Sequence, residues 1–203
     1  MAADADTAIL LVRHGATQET DAQRYPSVQD LPLSELGRAQ AAALVRTLHG
    51  VELGAVFTSP SQRALETATP LAAQRNLTLH VIPELAEMGF GQLGGMSFAE
   101  AVQAFPEVLK CWIENPFEVA LPEGEPFLDF VGRVRRARRQ LTREWAGHTI
   151  AVVAHGGVIA VWRCLEEGRP WSDFWRGIPA PGTGIWLIRA GGQVRIETLR
   201  PEV

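Results

Sequence analysis

Apolar residues in this chain fall into two kinds of segment, short uninterrupted runs and longer stretches with helical spacing. The uninterrupted runs predict strands, and continuous aliphatic runs are typical of strands buried on both faces. These runs are residues 8–12, 56–58, 79–82 and 149–154. Helical spacing or a helix-capping residue predicts helices over residues 34–49, 61–73, 97–105, 127–145 and 158–165. Residues 184–188 and 194–199 predict a hairpin or two edge strands around Gly191 and Gly192.

Strands that alternate with helices predict an α/β sandwich around a mainly parallel sheet. Ser34 and Ser61 are the expected N-caps of the first two helices. Residues 18–33 predict a long surface loop, residues 84–96 an ordered loop, and residues 106–126 a segment broken by prolines. The 203 residues contain no internal repeat and have the size of one domain with a substantial core.

Charge and cysteine content exclude several classes of function. A formal net charge of −4 argues against a general polyanion binder. The arginine-rich stretch 133–139 lies mostly off the apolar stripe of its helix, which predicts a solvated face and no nucleic-acid partner. Cys111 and Cys164 have neither disulfide nor metal-ligand spacing. Residues 1–6 include two acidic residues, Asp4 and Asp6, where a secretory signal has basic ones, and no uncharged stretch is long enough to cross a bilayer. We therefore expect a cytoplasmic protein without a membrane partner.

Charged and titratable residues follow each of the four predicted parallel strands. They are Arg13-His14-Gly15 after the first strand, Arg63 after the second, Glu84 and Glu87 after the third, and His155-Gly156 after the fourth. In open α/β sheets, ligands bind at the carboxyl ends of the strands. We therefore expect these side chains to meet at one edge of the sheet.

The residue types suit phosphoryl transfer through a histidine. A nucleophilic imidazole must be neutral, with one nitrogen held by a hydrogen bond and the other free to attack phosphorus. Arginines such as Arg13 and Arg63 disfavour the imidazolium form and bind phosphate oxygens. A carboxylic acid can protonate the leaving alkoxide, and His155 can donate to the phosphoryl oxygens. Each residue taken singly has an ordinary structural explanation, but their coincidence at several strand ends predicts an anion-handling active site.

Six segments, in this order, resemble the histidine phosphatase superfamily, the phosphoglycerate mutase-like group. They are LVRHGAT (11–17), PLSELGRAQA (32–41), VFTSPSQRALETA (56–68), IPELAEMGFGQLGG (82–95), PEGEPFLDFVGRV (122–134) and VVAHGGV (152–158). The resemblance implies a three-layer α/β/α sandwich with a mainly parallel mixed sheet. It further implies a single domain over residues 1–203, with residues 88–126 as a lid-like insertion, and neither a metal nor a cofactor.

The resemblance also implies a role for each candidate site residue. His14 would be the phosphorylated nucleophile, and Arg13, Arg63 and His155 would form the phosphate pocket. Glu87 would be the proton donor and later the base for water, with Glu84 as the second choice. The Gly15 carbonyl would orient the His14 ring, and the remaining substrate-binding residues would be Thr17, Thr20 and Gly156.

The chain departs from the family pattern at three places. Thr20 stands where many members have an Asn that binds phosphate. Gly124-Glu125-Pro126 replaces the usual Gly-Glu-Ser, and Pro181-Gly182-Thr183 replaces a common Asn. The core transfer chemistry does not depend on these positions, whereas substrate contacts do.

Hydrolysis of a small phosphorylated metabolite is the favoured function, because the segment between Glu87 and His155 lacks the long insertion typical of the mutases. A cofactor-dependent phosphoglycerate mutase and a non-catalytic phosphate-binding module are the alternatives. The short phosphatases, such as α-ribazole phosphatase, are the most similar members, so α-ribazole 5'-phosphate is a candidate substrate. Monomer and homodimer are both open. Aromatic residues that either cover a nucleoside-like substrate or pack in the core are Phe90, Phe98, Phe105, Trp112 and Phe117.

Overall fold

The computed structural model describes residues 6–27 and 29–203. Residues 1–5, part of the N-terminal segment used to predict the localisation, lie outside the described residues. The strands are β1 (Thr7–Arg13), β2 (Ala55–Thr58), β3 (Leu79–Val81), β4 (Thr149–Ala154), β5 (Gly184–Ala190) and β6 (Gln193–Leu199). The α-helices are α1 (Gln18–Asp21), α2 (Glu35–Thr47), α3 (Gln62–Gln74), α4 (Phe98–Ala104), α5 (Pro106–Glu114), α6 (Phe127–Glu144) and α7 (Gly156–Glu167). Short 3-10 helices cover Pro83–Leu85, Gly91–Leu93 and Trp171–Gly177.

The strands form one mixed sheet in the order β3-β2-β4-β1-β5-β6. The four strands β1 to β4 are parallel. β5 pairs antiparallel with β1, and β6 pairs antiparallel with β5. In the central pair, Leu11 lies opposite Val152 and Arg13 opposite Ala154. The carboxyl ends of β1 and β4 therefore lie side by side.

Alternate residues of the central strands face two separate cores. Ile9 and Leu11 point towards the face covered by α6 and α7, whereas Leu10 and Val12 point towards α2 and α3. All four side chains are buried. A strand with both faces covered needs an apolar residue at every position, which explains the continuous aliphatic run. The structure confirms the predicted three-layer α/β/α sandwich with its mainly parallel mixed sheet.

Two helices lie in segments where the sequence predicted none. The short helix α1 begins after Thr17, whose hydroxyl accepts a hydrogen bond from the Thr20 amide. The helix α5 begins at Pro106, within the stretch predicted to be broken by prolines. Proline is compatible with the first position of a helix because its missing N–H would have no intrahelical partner there. Pro106 therefore starts this helix, whereas the sequence pattern predicted a break.

The predicted cap of α3 is wrong in its chemistry. Ser61 occupies the N-cap position, but its side chain makes no capping hydrogen bond. The Asp30 carboxylate instead accepts from the Gln62 amide through both oxygens, at 2.8 and 2.9 Å. A carboxylate at a helix N-terminus also opposes the positive end of the helix dipole favourably. A cap supplied from 32 residues away has no local sequence signal.

The arginine-rich face of α6 is only partly solvated. Arg135, Arg136 and Arg139 are exposed, as expected. Arg138 instead pairs with Glu166, whose side chain is almost fully buried, at 2.7 Å. Arg133 turns inwards and pairs with Glu125, also at 2.7 Å. Within the described ranges, no helix is long and apolar enough to cross a membrane.

The loop after β1 crosses the first turn of α2 at a backbone-to-backbone contact. A Cβ atom on Gly37 would lie 2.1 Å from the Ala16 carbonyl oxygen, and one on Gly15 would lie 2.5 Å from the Gly37 carbonyl oxygen.

The Gly37→Ala substitution should therefore lower the free energy of unfolding by about 1–3 kcal/mol, as overpacking does in other proteins. Denaturant titration measures the loss. Gly50→Ala is the matched control, because a Cβ atom there meets nothing within 4 Å. Equal stability of the two variants would contradict the close crossing.

Candidate active site

His14 lies one residue beyond the end of β1 and is buried. Its amide donates to the Ala154 carbonyl at 3.0 Å, which continues the pairing of β1 with β4. Its ring Nδ1 lies 2.7 Å from the Gly15 carbonyl oxygen. Because a carbonyl only accepts, Nδ1 carries the proton and Nε2 keeps its lone pair. The geometry therefore sets one tautomer of the neutral ring.

The loop that carries His14 is held by two side chains that the sequence analysis did not single out. The Gly15 amide donates to the Thr67 hydroxyl at 3.0 Å, and the Ala16 amide donates to the Gln40 side-chain oxygen at 2.7 Å. These residues belong to α3 and α2, so both helices of one layer fix the loop. Helical spacing predicted the helices but not which polar residue would face the loop.

Arg63 joins the two histidines of the site. It lies in the first turn of α3, and its Nε donates to Nε2 of His14 at 3.2 Å. Its Nη2 lies 3.3 Å from Nδ1 of His155. Since a guanidinium only donates, Nδ1 of His155 accepts, and the proton of that ring is on Nε2. This Nε2–H donates to the Ser59 hydroxyl at 2.7 Å.

Both imidazole rings are held in the neutral form. Burial lowers the pKa of His14 well below its usual value, and the charges of Arg63 and Arg13 lower it further. The hydrogen bond to the Gly15 carbonyl acts in the opposite direction. Burial also lowers the pKa of His155 well below its usual value, with His14 and Arg63 adding to the effect. The two rings meet edge to face with centroids 5.1 Å apart. A neutral ring with a free lone pair is the reactive form of a histidine nucleophile.

Arg13 is the last residue of β1, and its side chain lines a cavity next to the two histidines. Its Nη1 donates to the Pro179 carbonyl at 2.8 Å, which orients the guanidinium. Its buried Nε has no hydrogen-bond partner among the residues that the structure describes. Burial lowers the pKa of Arg13, and the nearby Glu87 opposes that shift. The free Nε–H is therefore a donor suited to an oxygen of a bound phosphoryl group.

Glu87 reaches the site from the loop after β3. One carboxyl oxygen accepts from the Met88 amide at 3.0 Å, and the other accepts from the Gly157 amide at 3.3 Å. A Cβ atom on Gly157 would lie 2.5 Å from the Glu87 carboxyl, so glycine at this position permits the close approach. Loss of water around the group raises the pKa of Glu87, although both amides and the charges of Arg13 and Arg63 lower it. A raised pKa favours a carboxyl that carries a transferable proton.

An open cavity of about 280 Å³ leads away from this cluster. Its polar lining side chains are Arg13, Gln23, Arg24 and Glu87, and the backbone of Gly156 and Gly157 also lines it. The rest of the lining is mostly apolar. The apolar and aromatic lining residues are Tyr25, Met88, Phe90, Phe98, Trp112, Phe174, Trp175 and Ile178. Phe105 and Phe117 do not line it; Phe117 packs edge to face on Phe127 and Trp171. Phe174 and Trp175 come from the last 3-10 helix, which the sequence analysis did not connect with the site.

Of the other predicted site residues, some line the cavity and others do not. Gly156 lines it, and a Cβ atom there would come within 2.7 Å of Ile178. Thr20 is committed to the α1 cap, because its hydroxyl accepts from the Thr17 amide and donates to the Thr17 carbonyl. Thr17 is buried beside it. Glu84 does not line the cavity, and its carbonyl accepts from Arg133.

A search against family models matches residues 9–200 to the histidine phosphatase superfamily, branch 1. The chain belongs to this superfamily. It is 34% identical over 166 residues to the adenosylcobalamin/alpha-ribazole phosphatase of Escherichia coli, covering 81% of each chain. It is 29% identical over 167 residues to phosphoserine phosphatase 1 of Hydrogenobacter thermophilus, covering 82% of this chain and 79% of that one. The crystal structure of the alpha-ribazole phosphatase from Shigella flexneri superimposes with a TM-score of 0.82 at 29% identity, covering 95% of both chains. These similarities support a phosphatase of the hydrolase class.

The buried neutral histidines predict how the stability of this superfamily member depends on pH. In the unfolded chain each ring binds a proton below about pH 6.5, whereas the folded chain resists protonation. Stability present above that pH should therefore fall as the pH falls. His155→Gln should reduce the slope of unfolding free energy against pH by up to about 1.4 kcal/mol per pH unit. Glu87, whose pKa is raised by folding, has the opposite effect on the slope, and it has this effect in both the wild type and the His155→Gln variant.

Denaturant titrations between pH 5 and 7.5 measure the slope. The surface variant His148→Gln is the matched control, because that ring is exposed in the folded chain, and it should keep the wild-type slope. A His155→Gln slope identical to wild type would show that the ring is not buried as a neutral group.

Proposed function

We propose that this protein hydrolyses phosphomonoesters, without a metal ion, through a phosphohistidine formed on His14. The observation that carries the proposal is the hydrogen bond from His14 Nδ1–H to the Gly15 carbonyl, which leaves Nε2 as the nucleophilic atom. The Nε donor of Arg63 lies 3.2 Å from that atom, the His155 ring packs against the His14 ring, and Arg13 has a buried Nε–H without a partner among the described residues. These donors suit the oxygens of a phosphoryl group.

In the first step, the Arg63 Nε–H turns from Nε2 of His14 to a phosphoryl oxygen, and the freed Nε2 lone pair attacks phosphorus as the bond from phosphorus to the ester oxygen breaks. The bonding electrons leave with that oxygen, which takes the carboxyl proton of Glu87. Arg13 and Arg63 balance the negative charge of the phosphoryl oxygens, and His155 donates to one of them after its Nε2–H turns from Ser59. The alcohol leaves as a neutral molecule.

In the second step, the Glu87 carboxylate takes a proton from water. The water oxygen attacks the phosphorus of phosphohistidine, the bond from phosphorus to Nε2 breaks, and inorganic phosphate forms. Glu87 is then protonated again, and His14 is again neutral. One carboxyl group serves as acid and then as base, and its raised pKa favours the protonated form that the first step needs.

The cavity favours hydrolysis over the mutase alternative. A phosphoglycerate carries a carboxylate beside its phosphate and needs further cations. Besides Arg13, the cavity is lined by one described cation, Arg24, which is bound to Glu100 at 2.7 Å and to the Gly95 carbonyl at 2.7 Å. The lining is otherwise mostly apolar. The intact set of His14, Arg63 and Glu87 argues against a non-catalytic binding module.

We propose an α-ribazole 5'-phosphate-like substrate, a small metabolite whose leaving alcohol carries an aromatic base, processed in the cytoplasm. Phe90, Phe98 and Trp112 line the cavity and offer apolar and aromatic surface to such a group. These residues belong to 88–126, which we assign as the lid-like insertion of a single-domain protein. Two of the similar proteins are named as alpha-ribazole phosphatases, in agreement with that choice.

Replacing the nucleophile tests the mechanism. His14→Ala should lower kcat/KM for p-nitrophenyl phosphate by about a thousandfold or more, because the covalent route is lost. Acid quenching of the wild type with a radiolabelled substrate should leave acid-labile phosphate on His14. The exposed His148→Ala is the control and should retain full activity and labelling. Label on a serine, or full activity of His14→Ala, would overturn the mechanism.

A substrate panel combined with Phe98→Ala tests the leaving-group assignment. Phe98 lines the cavity and is 56% exposed, so its truncation should leave the fold intact. Loss of one aromatic contact should raise KM for α-ribazole 5'-phosphate by about 3- to 10-fold and leave KM for phosphoserine unchanged. Val102→Ala, exposed on the same helix, is the matched control.

The same panel includes sugar phosphates and 3-phosphoglycerate supplied with its bisphosphate. Isomerisation of 3-phosphoglycerate without phosphate release would overturn the preference for hydrolysis. Faster turnover of phosphoserine than of α-ribazole 5'-phosphate would overturn the aromatic assignment.

A further inference from the structure

Arg133 is the best-satisfied cation near the site, although no step of the proposed reaction uses it. All five of its N–H groups have acceptors. Nε and Nη2 each donate at 2.7 Å to one oxygen of the Glu125 carboxylate. Nη1 donates to the Glu84 carbonyl at 2.8 Å and the Ala86 carbonyl at 2.5 Å, and Nη2 also donates to the Glu87 carbonyl at 2.9 Å. Three backbone carbonyls of one short segment thus share a single guanidinium.

The segment 84–89, which carries the candidate general acid, is also held from the other side by Glu125. The Glu125 amide donates to the Gly89 carbonyl at 2.8 Å, and one of its carboxylate oxygens accepts from the Gly89 amide at 3.3 Å. Arg133 and Glu125 therefore hold the backbone at Glu87 and two residues beyond it. The two side chains are only 16% and 23% exposed, so the pair is shielded from much of the solvent.

From this arrangement we propose that Arg133, together with Glu125, is the positioning pair for the general acid Glu87. The inference rests on the proposed phosphohistidine mechanism. Glu87 has to present its proton to the leaving oxygen while His14 attacks from the opposite side of phosphorus. The amides of Met88 and Gly157 hold the carboxyl group, and Arg133 holds the carbonyl of the same residue. Small misplacements of a catalytic group have large kinetic effects.

Lysine cannot replace this arginine. Its ammonium group has three donors and no planar fork, so it cannot bind a carboxylate in two places and reach three carbonyls as well. The carbonyls of Glu84, Ala86 and Glu87 would lose some of these hydrogen bonds. The segment would then have no single preferred geometry, and the Glu87 proton would be misplaced in part of the population.

A positioning role makes a distinctive kinetic prediction. An alkyl phosphate releases a strongly basic alkoxide and needs the Glu87 proton when its ester bond breaks. A nitrophenyl phosphate releases a stable anion and does not. Because kcat/KM includes the steps up to alcohol release, it excludes the later hydrolysis of phosphohistidine, in which Glu87 also acts.

The experiment compares kcat/KM for glycerol 2-phosphate and p-nitrophenyl phosphate in the full chain. Arg133→Lys, Arg133→Gln and Glu125→Gln should each lose about 10- to 100-fold with the alkyl phosphate, as for a misplaced catalytic group. The loss with p-nitrophenyl phosphate should be less than about threefold, since its leaving group needs no acid. Glu87→Gln is the reference and should show the same selectivity more strongly.

Arg138→Gln is the matched control. It breaks another partly buried ion pair on the same helix, with Glu166, away from segment 84–89. It should lower thermal stability and leave the ratio of the two kcat/KM values unchanged. Glu125→Gln keeps the shape of its side chain and carries the test if the arginine variants fold poorly.

Equal losses with both substrates, or no loss with either, would overturn the positioning role. A change of the ratio in Arg138→Gln would overturn it as well. Failure of the proposed function would be visible separately, because the wild type would then hydrolyse neither ester or would carry no label on His14.

Discussion

The parallel pairing of β1 with β4 is the constraint on which the site depends. Arg13 lies opposite Ala154, so His14 and His155 each follow the last paired residue of neighbouring strands. Their ring centroids are 5.1 Å apart, within reach of one guanidinium. A slip of one residue would turn every side chain of a strand to the opposite face and would carry the residue that follows β1 away from His155. The observed register of this pair therefore places the two histidines next to each other.

Arg63 turns this placement into a reactive arrangement. Its two contacts assign a different protonated nitrogen to each ring, Nδ1 in His14 and Nε2 in His155. Burying a cation beside two imidazoles costs free energy unless its donors have hydrogen-bond acceptors. The cation also raises the free energy of protonating either ring, because the charges would repel. In the proposed mechanism, the charge that keeps the rings neutral also attracts the phosphoryl group. Activation of the proposed nucleophile and substrate binding would then have one physical origin.

The leaving-group side of the site is built differently. The proposed acid, Glu87, lies on a loop, and loops have fewer constraints than strand ends. Hydrogen bonds from α6 and from the amide of Gly157 supply the missing rigidity. Beyond the acid, the cavity is mostly apolar, with Arg24 bound to Glu100 and Gly95. A cavity of this kind recognises shape and aromatic surface better than additional charge.

The sequence alone was sufficient for the layers of the fold, the core strands and the residues His14, Arg63, Glu87 and His155 as candidates. Continuous aliphatic runs, helical spacing and polar residues at strand ends are local patterns, and local patterns are visible in a sequence. Only the tertiary structure decided the contacts that join distant segments. Asp30 caps α3, Ser59 accepts from His155, and Arg133 leaves the solvated face of α6 to hold the loop of Glu87. Each of these depends on which polar group happens to face another after folding. Neither composition nor periodicity contains that information.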